Sequence, residues 1–377
     1  MKNEVFIWGA GHYGALAALD CERKGIKVRA FIDANAYKIK TKFGLSVLGP
    51  EYLTSLYTIP HRDSNFIIIA VQNERSRNEI TQTLLSVGLK IENDFGIFTQ
   101  NIMNHEPPFK VYKYQTFTSF VQHMNFFLTD HCNLNCAYCN VNCPVAEPKF
   151  PNIEQLELDF IKLSKLTNGI IGRIILTGGE ALLNPNMVQI MQIARKTIPN
   201  NDIVINTNGI LLTKMNSDFW IACKNNYISI VISSYPINLD VNKISQIAKK
   251  YEVNIFSANS VYNEGGKLFY SHKYDMSGKQ DINEAHEKCH TKTCTTLIDG
   301  KIYRCSQIPY SKLLEKAFNV HFSISSQDFL VLDKINNVQE ILDFISHPSP
   351  FCRYCATKEN HQMQWKISER KREEWIL

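Results

Sequence analysis

Apolar residues in this chain gather into short runs, each followed by a polar or glycine-bearing turn and then by a stretch where they recur at helical spacing. Val5 to Trp8, Val28 to Ile32 and Phe66 to Val71 are such runs. Leu16, Leu19 and Cys21 carry the helical period after the first. Asn78 to Val87 carries it after the third, with Gly88 placed as a C-cap. Strands alternating with helices through short turns predict a parallel sheet covered by helices over residues 1–100. Residues 101–118 contain a Pro-Pro pair and no apolar period, which marks a linker. The alternation then resumes: strands at Met124 to Leu128, Ile174 to Leu176, Ile203 to Ile205, Ile228 to Ile232 and Val253 to Ser257. Helices are expected at Leu156 to Leu166, at Asn186 to Ile198 with Pro185 at its first turn, and at Val241 to Lys250. Polar residues and glycines collect at the strand C-termini, in Thr177-Gly178-Gly179-Glu180, Asn206-Thr207-Asn208-Gly209 and Ser233-Ser234-Tyr235-Pro236. A barrel with its site at one rim has this pattern. From about residue 286 the texture changes. Thr295 to Ile298 and Lys301 to Arg304 flank Asp299-Gly300 and predict a β-hairpin, and Leu332 to Ile345 predicts a helix.

Composition narrows the class. With 44% hydrophobic and 20% charged residues, the 377-residue chain is of ordinary globular make-up, and its length suggests two or three domains. A net charge of +5, from 41 basic and 36 acidic residues, is too slight and too scattered to argue for nucleic acid. No apolar run is long enough to span a membrane, and the first residues lack the build of a signal peptide, so a soluble, cytoplasmic chain is expected. The final ISERKREEWIL mixes both signs and reads as a solvated end.

The 11 cysteines change the picture more, because nine of them cluster. Cys132, Cys136, Cys139 and Cys143 lie within twelve residues; Cys289, Cys294 and Cys305 form a second group, Cys352 and Cys355 a third. Cys21 and Cys223 stand alone in expected helices and read as buried small hydrophobes. Clustered thiols in an odd total favour metal over disulfides. Three thiolates on one short loop can hold three irons of a [4Fe-4S] cube and leave the fourth iron open; with Cys143 or His131 as a fourth ligand they can equally make a zinc knuckle.

The spacing of Cys132, Cys136 and Cys139, with aromatic Tyr138 before the last, resembles the CxxxCxxC signature of the radical S-adenosylmethionine (SAM) superfamily. Gly178-Gly179-Glu180 stands where that family carries the loop that meets the amino group of SAM, its glycines allowing close backbone approach. The resemblance further implies SAM contacts at the strand ends bearing Asn206 and Asn208, Ser233 and Ser234, and Ser257 and Asn259. Turn geometry alone also accounts for these residue types. Tyr138 is left between stacking near adenine and simple packing, and Cys143 is expected not to ligate. The family's chemistry is reductive cleavage of SAM by a [4Fe-4S] cluster to a 5'-deoxyadenosyl radical, fed by a flavodoxin or ferredoxin.

Cys289, ten residues, Gly300, four residues and Cys305, followed by Cys352-x2-Cys355, resemble the auxiliary-cluster domains of such enzymes, called SPASM in the full form and twitch in the shorter one. Nothing after Cys355 supplies more thiols, so the resemblance implies a twitch-like domain with one auxiliary [4Fe-4S] cluster. Either Cys289 or Cys294 fits as its first ligand, and a zinc ribbon uses the same set.

In the first domain, Gly9-x-Gly11-x-x-Gly14 follows a strand and opens a helix, and Asp33 ends the next strand. This is the pattern of a Rossmann-like fold that places phosphate at a helix N-terminus and a carboxylate on ribose hydroxyls. His12 lies within the loop. FIDANAYKIKTKFGLSVLGPEYL and FIIIAVQNERSRNEI resemble the small domain that precedes left-handed β-helix acyltransferases acting on nucleotide sugars. A nucleotide or nucleotide-sugar ligand, NAD, and a ligandless docking role all remain open from these residues.

The expected organisation is thus α/β throughout: a Rossmann-like parallel sheet over 1–100, a linker over 101–118, a partial (β/α)6 TIM-barrel radical SAM core over 119–285, and a twitch-like hairpin and helix domain with the tail over 286–377. The expected function is oxidation or rearrangement of a carbohydrate-like small molecule, free or nucleotide-linked, in polysaccharide or secondary-metabolite synthesis. Peptide or protein maturation is the alternative, disfavoured by a GxGxxG unit where peptide-modifying relatives carry a winged helix. The molybdenum-cofactor cyclases of the superfamily end in a GG tail, whereas this chain ends Trp375-Ile376-Leu377, so a different reaction is expected.

Overall fold

The structure is a computed structural model describing residues 4–23, 25–53, 65–71, 74–91, 93–98, 121, 123–167, 171–198, 201–257, 268–292, 294–358 and 361–377. The linker expected over 101–118 and Asn259 lie outside the described residues, as do the side chains of His12 and Ser257. The chain divides into two compact units, Met1–Gln122 with Asn200–Asp202, and His123–Pro199 with Ile203–Leu377.

The first unit holds β1 (Glu4–Trp8), α1 (His12–Arg23), β2 (Val28–Ile32), β3 (Thr41–Lys42), β4 (Leu45–Leu48), β5 (Asn65–Ile69), α2 (Glu74–Ser86) and β6 (Phe95–Ile97). The strands form one sheet in the order β3-β4-β2-β1-β5-β6, parallel but for the short β3. Hydrophobic side chains from both faces of the central strands are buried: Phe6, Trp8, Ile32, Ile67 and Ile69 form a core on one face with Leu84, Leu89 and Phe95, and Val5, Ile7 and Phe31 are buried on the other. The hairpin of β3 and β4 and the closing strand β6 were not foreseen, since two- to four-residue strands leave little period to read.

The second unit continues with β7 (Met124–Phe127), α3 (Ile153–Thr167), β8 (Arg173–Thr177), α4 (Met187–Thr197), β9 (Asp202–Thr207), α5 (Ser217–Asn225), β10 (Ile228–Ile232), α6 (Val241–Lys250) and β11 (Ile255–Ser257). These five parallel strands lie side by side in chain order, as βαβ units dictate, and are consistent with a partial (β/α) barrel. Phe126 of β7 stacks on Phe160 of α3 at 4.1 Å, seating that helix on the sheet. Asn186 is the N-cap of α4, so Pro185 lies just outside the helix and not in its first turn.

Beyond β11 come β12 (Leu268–Ser271), α7 (Ile282–Glu287), β13 (Thr296–Ile298), β14 (Lys301–Tyr303), α8 (Gln307–Phe318), β15 (Phe329–Val331), α9 (Val338–Ser346) and β16 (His361–Gln364). The expected hairpin is β13–β14, with Asp299 and Gly300 both at positive φ, 47° and 71°, as a type I′ turn requires. Asp159 of α3 accepts from Gly300 N–H at 3.1 Å and so pins that turn. β13 also pairs in parallel with β7, and the sheet runs on through β14 to β15 without a break. The single helix expected over 332–345 is two pieces. Leu332–Lys334 is one 3-10 turn, and α9 starts only after Asn337, whose side chain caps Glu340 N–H.

The tail is the clearest correction. It is not a solvated end: Glu374, Trp375 and Ile376 are buried, and Trp375 joins a core with Tyr274, Phe322, Phe351 and Tyr354. Tyr274 pairs on one side with Cys355 and on the other with Ile376, donating its N–H to Trp375 O at 2.7 Å. β16 runs antiparallel to β12.

In the first unit a Cβ on Gly14 would lie 1.8 Å from Gly9 O, whereas one on Gly11 would meet nothing within 4 Å. Gly14→Ala is expected to cost about 3 kcal/mol of that unit's stability through overpacking against fixed backbone. Gly11→Ala is expected to stay within about 1 kcal/mol of the parent. Chemical denaturation of the two variants measures the difference.

Candidate active site

The cysteine loop leaves the end of β7 and is held from below by the turn after β8. Gly179 N–H donates to Thr129 O at 2.9 Å and Glu180 N–H to His131 O at 3.1 Å. This contact explains the glycine pair. Gly178 has φ +155°, and its Cβ would lie 2.7 Å from Thr129 O; a Cβ on Gly179 would lie 2.1 Å from His131 O and 2.8 Å from Cys143 Sγ. The close approach that needs glycine is therefore to the backbone of the thiol loop itself. Cys143, buried behind it, hydrogen-bonds Cys139 and lowers that thiol to about 7 against the opposing effect of burial. Cys143 in turn is pushed up by the same contact and by burial. The spare thiol is a donor to its neighbour.

Glu180 has 1% of its surface exposed. One oxygen accepts from Leu182 N–H at 3.1 Å and from the Thr207 hydroxyl at 2.7 Å, the other from Asn208 N–H at 2.8 Å. Burial raises its pKa, and the three donors oppose the rise. Asn208, fixed by this carboxylate, turns its amide onto Asn133 Oδ1 at 2.7 Å and Cys132 Sγ at 3.7 Å. Leu134 N–H reaches Cys132 Sγ at 3.4 Å.

The C-terminal strap closes the other side. Ala137 N–H donates to Lys366 O at 2.9 Å and Ser368 N–H to Asn135 O at 2.8 Å, with Cys136 bridged to Ile367. The indole N–H of Trp365 points at Cys136 Sγ at 3.1 Å, and that of Trp375 at Cys139 O at 3.0 Å. Burial pushes Cys132 up to about 11 and Cys136 up to about 12, each with a smaller lowering from its N–H donors. Tyr138 adopts φ +60°, its ring 5.6 Å from the Lys366 ammonium, and its carbonyl accepts from Ser271.

The other strand ends lie along the same sheet. Asn206 is half-buried opposite Val231, Ser233 N–H donates to Thr207 O at 2.9 Å, Ser234 follows it half-buried, and Ser257 pairs with Ile232.

A second group of thiols forms around the hairpin. Cys289 acts on Cys305, Cys352 and Cys355, Cys352 also acts on Cys305 and Cys355, and Cys305 on Cys355, while Cys294 feels Cys289 alone. Burial raises all of Cys294, Cys305, Cys352 and Cys355, Cys352 to about 11 and Cys294 to about 12. Asp328, wholly buried, builds the turn carrying Cys352 by accepting from Phe351 N–H at 2.8 Å and from the Ser349 hydroxyl. Arg304 has only 6% of its surface exposed. It donates to Ile345 O and faces His286 Nε2, and its Nε is buried with no hydrogen-bond partner among the described residues. Burial lowers the pKa of this guanidinium, and Cys352, Cys305 and Cys289 oppose the fall.

In the first unit, Gly9 has φ +121°, and its Cβ would lie 2.4 Å from Ala70 O. The Asp33 carboxylate accepts from Ala10 N–H and Asn35 N–H, both at 2.8 Å, and so holds the glycine turn itself. Gly11 is exposed.

Among the described residues no three Cys, His, Asp or Glu side chains are already drawn to metal-ligating distance. The donor chemistry nevertheless fits anionic sulfur. N–H groups aim at Cys132 and Cys136, as they do at the sulfurs of iron–sulfur clusters, and a buried cation without a carboxylate faces the second thiol group.

Residues 126–264 match the family model of the Radical SAM superfamily. The match begins on β7 and takes in the whole thiol loop. Among curated proteins, the GTP 3',8-cyclase of Desulforamulus reducens is 33% identical over 99 residues, 26% of this chain and 30% of that protein. The GTP 3',8-cyclase of Chlorobaculum tepidum is 32% identical over 116 residues, 30% of this chain and 33% of its own length. The chain thus spans about a third of the length of these relatives. Among solved structures, BtrN in complex with AdoMet and 2-DOIA is 16% identical, covering 65% of this chain and 99% of that one, with a TM-score of 0.40. No helix among the described residues is long and apolar enough to cross a membrane.

Sequence reasoning missed Thr207, Arg304, Asp328, Trp365 and Trp375. Two tryptophans in an otherwise polar tail were the one readable signal, since so large an apolar surface seldom stays in water.

Burial favours the protonated Glu180 in the folded chain, so its contribution to stability is full below the ordinary carboxyl pKa and is lost as pH climbs through that value to its raised one. Glu180→Gln is expected to flatten this fall. It is also expected to cost about 2 kcal/mol at neutral pH by setting an amide N–H against one of three donors. Denaturation as a function of pH reads both effects.

Proposed function

We propose that this chain is a radical SAM enzyme that works on a nucleotide-linked carbohydrate or similar small polyol. In this reading Cys132, Cys136 and Cys139 hold a [4Fe-4S] cluster that binds SAM, and Cys289, Cys305, Cys352 and Cys355 hold an auxiliary one. The observation that carries it is the set of N–H groups from Leu134, Asn208 and Trp365 aimed at two sulfurs of one loop, inside the matched domain. Bound there, the cluster supplies the electron that breaks the sulfonium C–S bond of SAM. The chain's own residues do the rest. Glu180 and the glycine pair fix the loop, and Cys143 keeps the Cys139 sulfur ready to ligate as thiolate. The strand ends at Asn206, Ser233, Ser234 and Ser257, with Asn259 beyond, are the proposed surface for the SAM carboxylate and ribose, and Tyr138 for its adenine. Cys289 is preferred to Cys294 because only its charge is felt by the other three thiols. Arg304 offsets the negative charge of the auxiliary group. An acidic electron carrier such as a flavodoxin or ferredoxin is the expected donor.

The first unit is assigned to the substrate and is read as Rossmann-like. Its glycine turn ends at a helix N-terminus that suits phosphate. The GTP named for the curated relatives is itself a nucleotide, in keeping with this substrate class. Because Asp33 already holds the turn, its part in binding ribose is limited to the lone pairs it has left.

After anaerobic reconstitution the chain should hold about eight irons and cleave SAM on reduction. Cys136→Ala should lose SAM cleavage and keep about four irons in the auxiliary group. Zinc in both places and no cleavage would overturn the reading. For the first unit, Gly11→Val places a branched side chain in open space, so the variant should fold normally. It should lose binding of nucleotide sugars at least tenfold by calorimetry on the full chain, with SAM cleavage intact. Unchanged binding would remove the loop from function.

A further inference from the structure

We infer that Trp365 is a positioning residue for the SAM-binding cluster: its indole N–H hydrogen-bonds the Cys136 ligand and sets how readily that cluster is reduced. The inference rests on reading Cys136 as a ligand. Its own basis is the strap that carries the tryptophan. Trp365 follows β16 directly, and the backbone after it is paired with the thiol loop at Ala137 and Asn135, which fixes the indole's point of attachment beside the loop. Trp375 fixes the far end of the strap by donating to Cys139 O and packing into the aromatic core. Between them Glu374, buried, accepts from Glu369 N–H at 2.7 Å and from the Ser368 hydroxyl, which closes the turn. The result is a donor held 3.1 Å from one sulfur by a segment anchored on both sides.

A thiolate ligand gains negative charge when its cluster takes up an electron, so an N–H aimed at the sulfur stabilises the reduced state more than the oxidised one. The neutral indole is suited to this because it donates and never accepts. It adds no net charge to the loop. The same strap reaches the second thiol group. Tyr274 lies between Ile376 of the strap and Cys355, paired with both through its backbone. A change in the strap is therefore expected to be felt first at Cys136 and more weakly beyond it.

The test is an anaerobic redox titration of the full-length chain, followed by electron paramagnetic resonance on the cluster signal that responds to added SAM. Trp365→Phe keeps the aromatic bulk and removes the donor. It is expected to keep its iron and sulfide and to shift the reduction equilibrium about tenfold toward the oxidised state, which is about 59 mV more negative for one electron. An unchanged midpoint in an iron-loaded variant overturns the inference while leaving the proposed function standing. Should the variant fail to assemble its cluster, the wild-type chain decides. Labelled with indole-15N tryptophan, its reduced SAM-responsive signal should show a 15N coupling in double-resonance spectra, and absence of that coupling overturns the inference. A wild-type chain that assembles no SAM-responsive cluster overturns both readings together.

Discussion

Glu180 lies where β8 ends, and its two oxygens collect an N–H from Leu182, an N–H from Asn208 and the hydroxyl of Thr207. Because the carboxylate is buried, each of these bonds is costly to break: a donor left without it would have no water to turn to. Its own N–H meanwhile reaches across to His131 O on the neighbouring loop. One residue thus ties together the chain leaving β7, β8 and β9. The thiols of Cys132, Cys136 and Cys139 inherit their position from that tie, since their loop has no regular secondary structure of its own beyond one 3-10 turn at Cys143–Val145.

The second thiol group is built on a different plan. Its cysteines come from three separated places, and what gathers them is a set of buried polar groups around a hairpin. Asp159 holds the hairpin's turn, Asp328 shapes the turn before Cys352, and Arg304, buried at the hairpin end, reaches Ile345 O and His286. A guanidinium buried without a carboxylate partner destabilises a fold unless anionic charge is nearby. In the proposed reading, thiolates holding a metal group would supply that charge.

The parallel strands and their helices were readable because they are long enough to show a period: Val28–Ile32, Ile228–Ile232 and Val241–Lys250 coincide with the expected bounds. The turn at Asp299-Gly300 was readable because only certain residues accept positive φ there. Local pattern failed where tertiary contacts decide. Beyond the ligand approach that Gly178 and Gly179 suggest, the atoms that exclude a side chain at both belong to Thr129, His131 and Cys143, residues far away in sequence that no local pattern names. The tail reads as solvent-exposed in sequence because its polar residues outnumber its apolar ones. Its few large side chains, Trp365, Trp375 and Ile376, are the ones that bind it to the rest.

The pairing of β13 with β7 has a consequence for how separable the parts of the second unit are. β7 lies inside an eight-stranded sheet, with β8 on one side and β13 on the other. Cutting the chain before β13 would turn a central strand into an edge and strip Asn125 of the bond its N–H makes to Thr295 O. Such a truncated piece would present unpaired backbone and the apolar residues Met124 and Phe126 to any other chain able to add a strand, an invitation to aggregate. The auxiliary region is therefore not a cartridge that can be exchanged between enzymes at a linker. Any graft onto this core would have to bring its own strand in the same register.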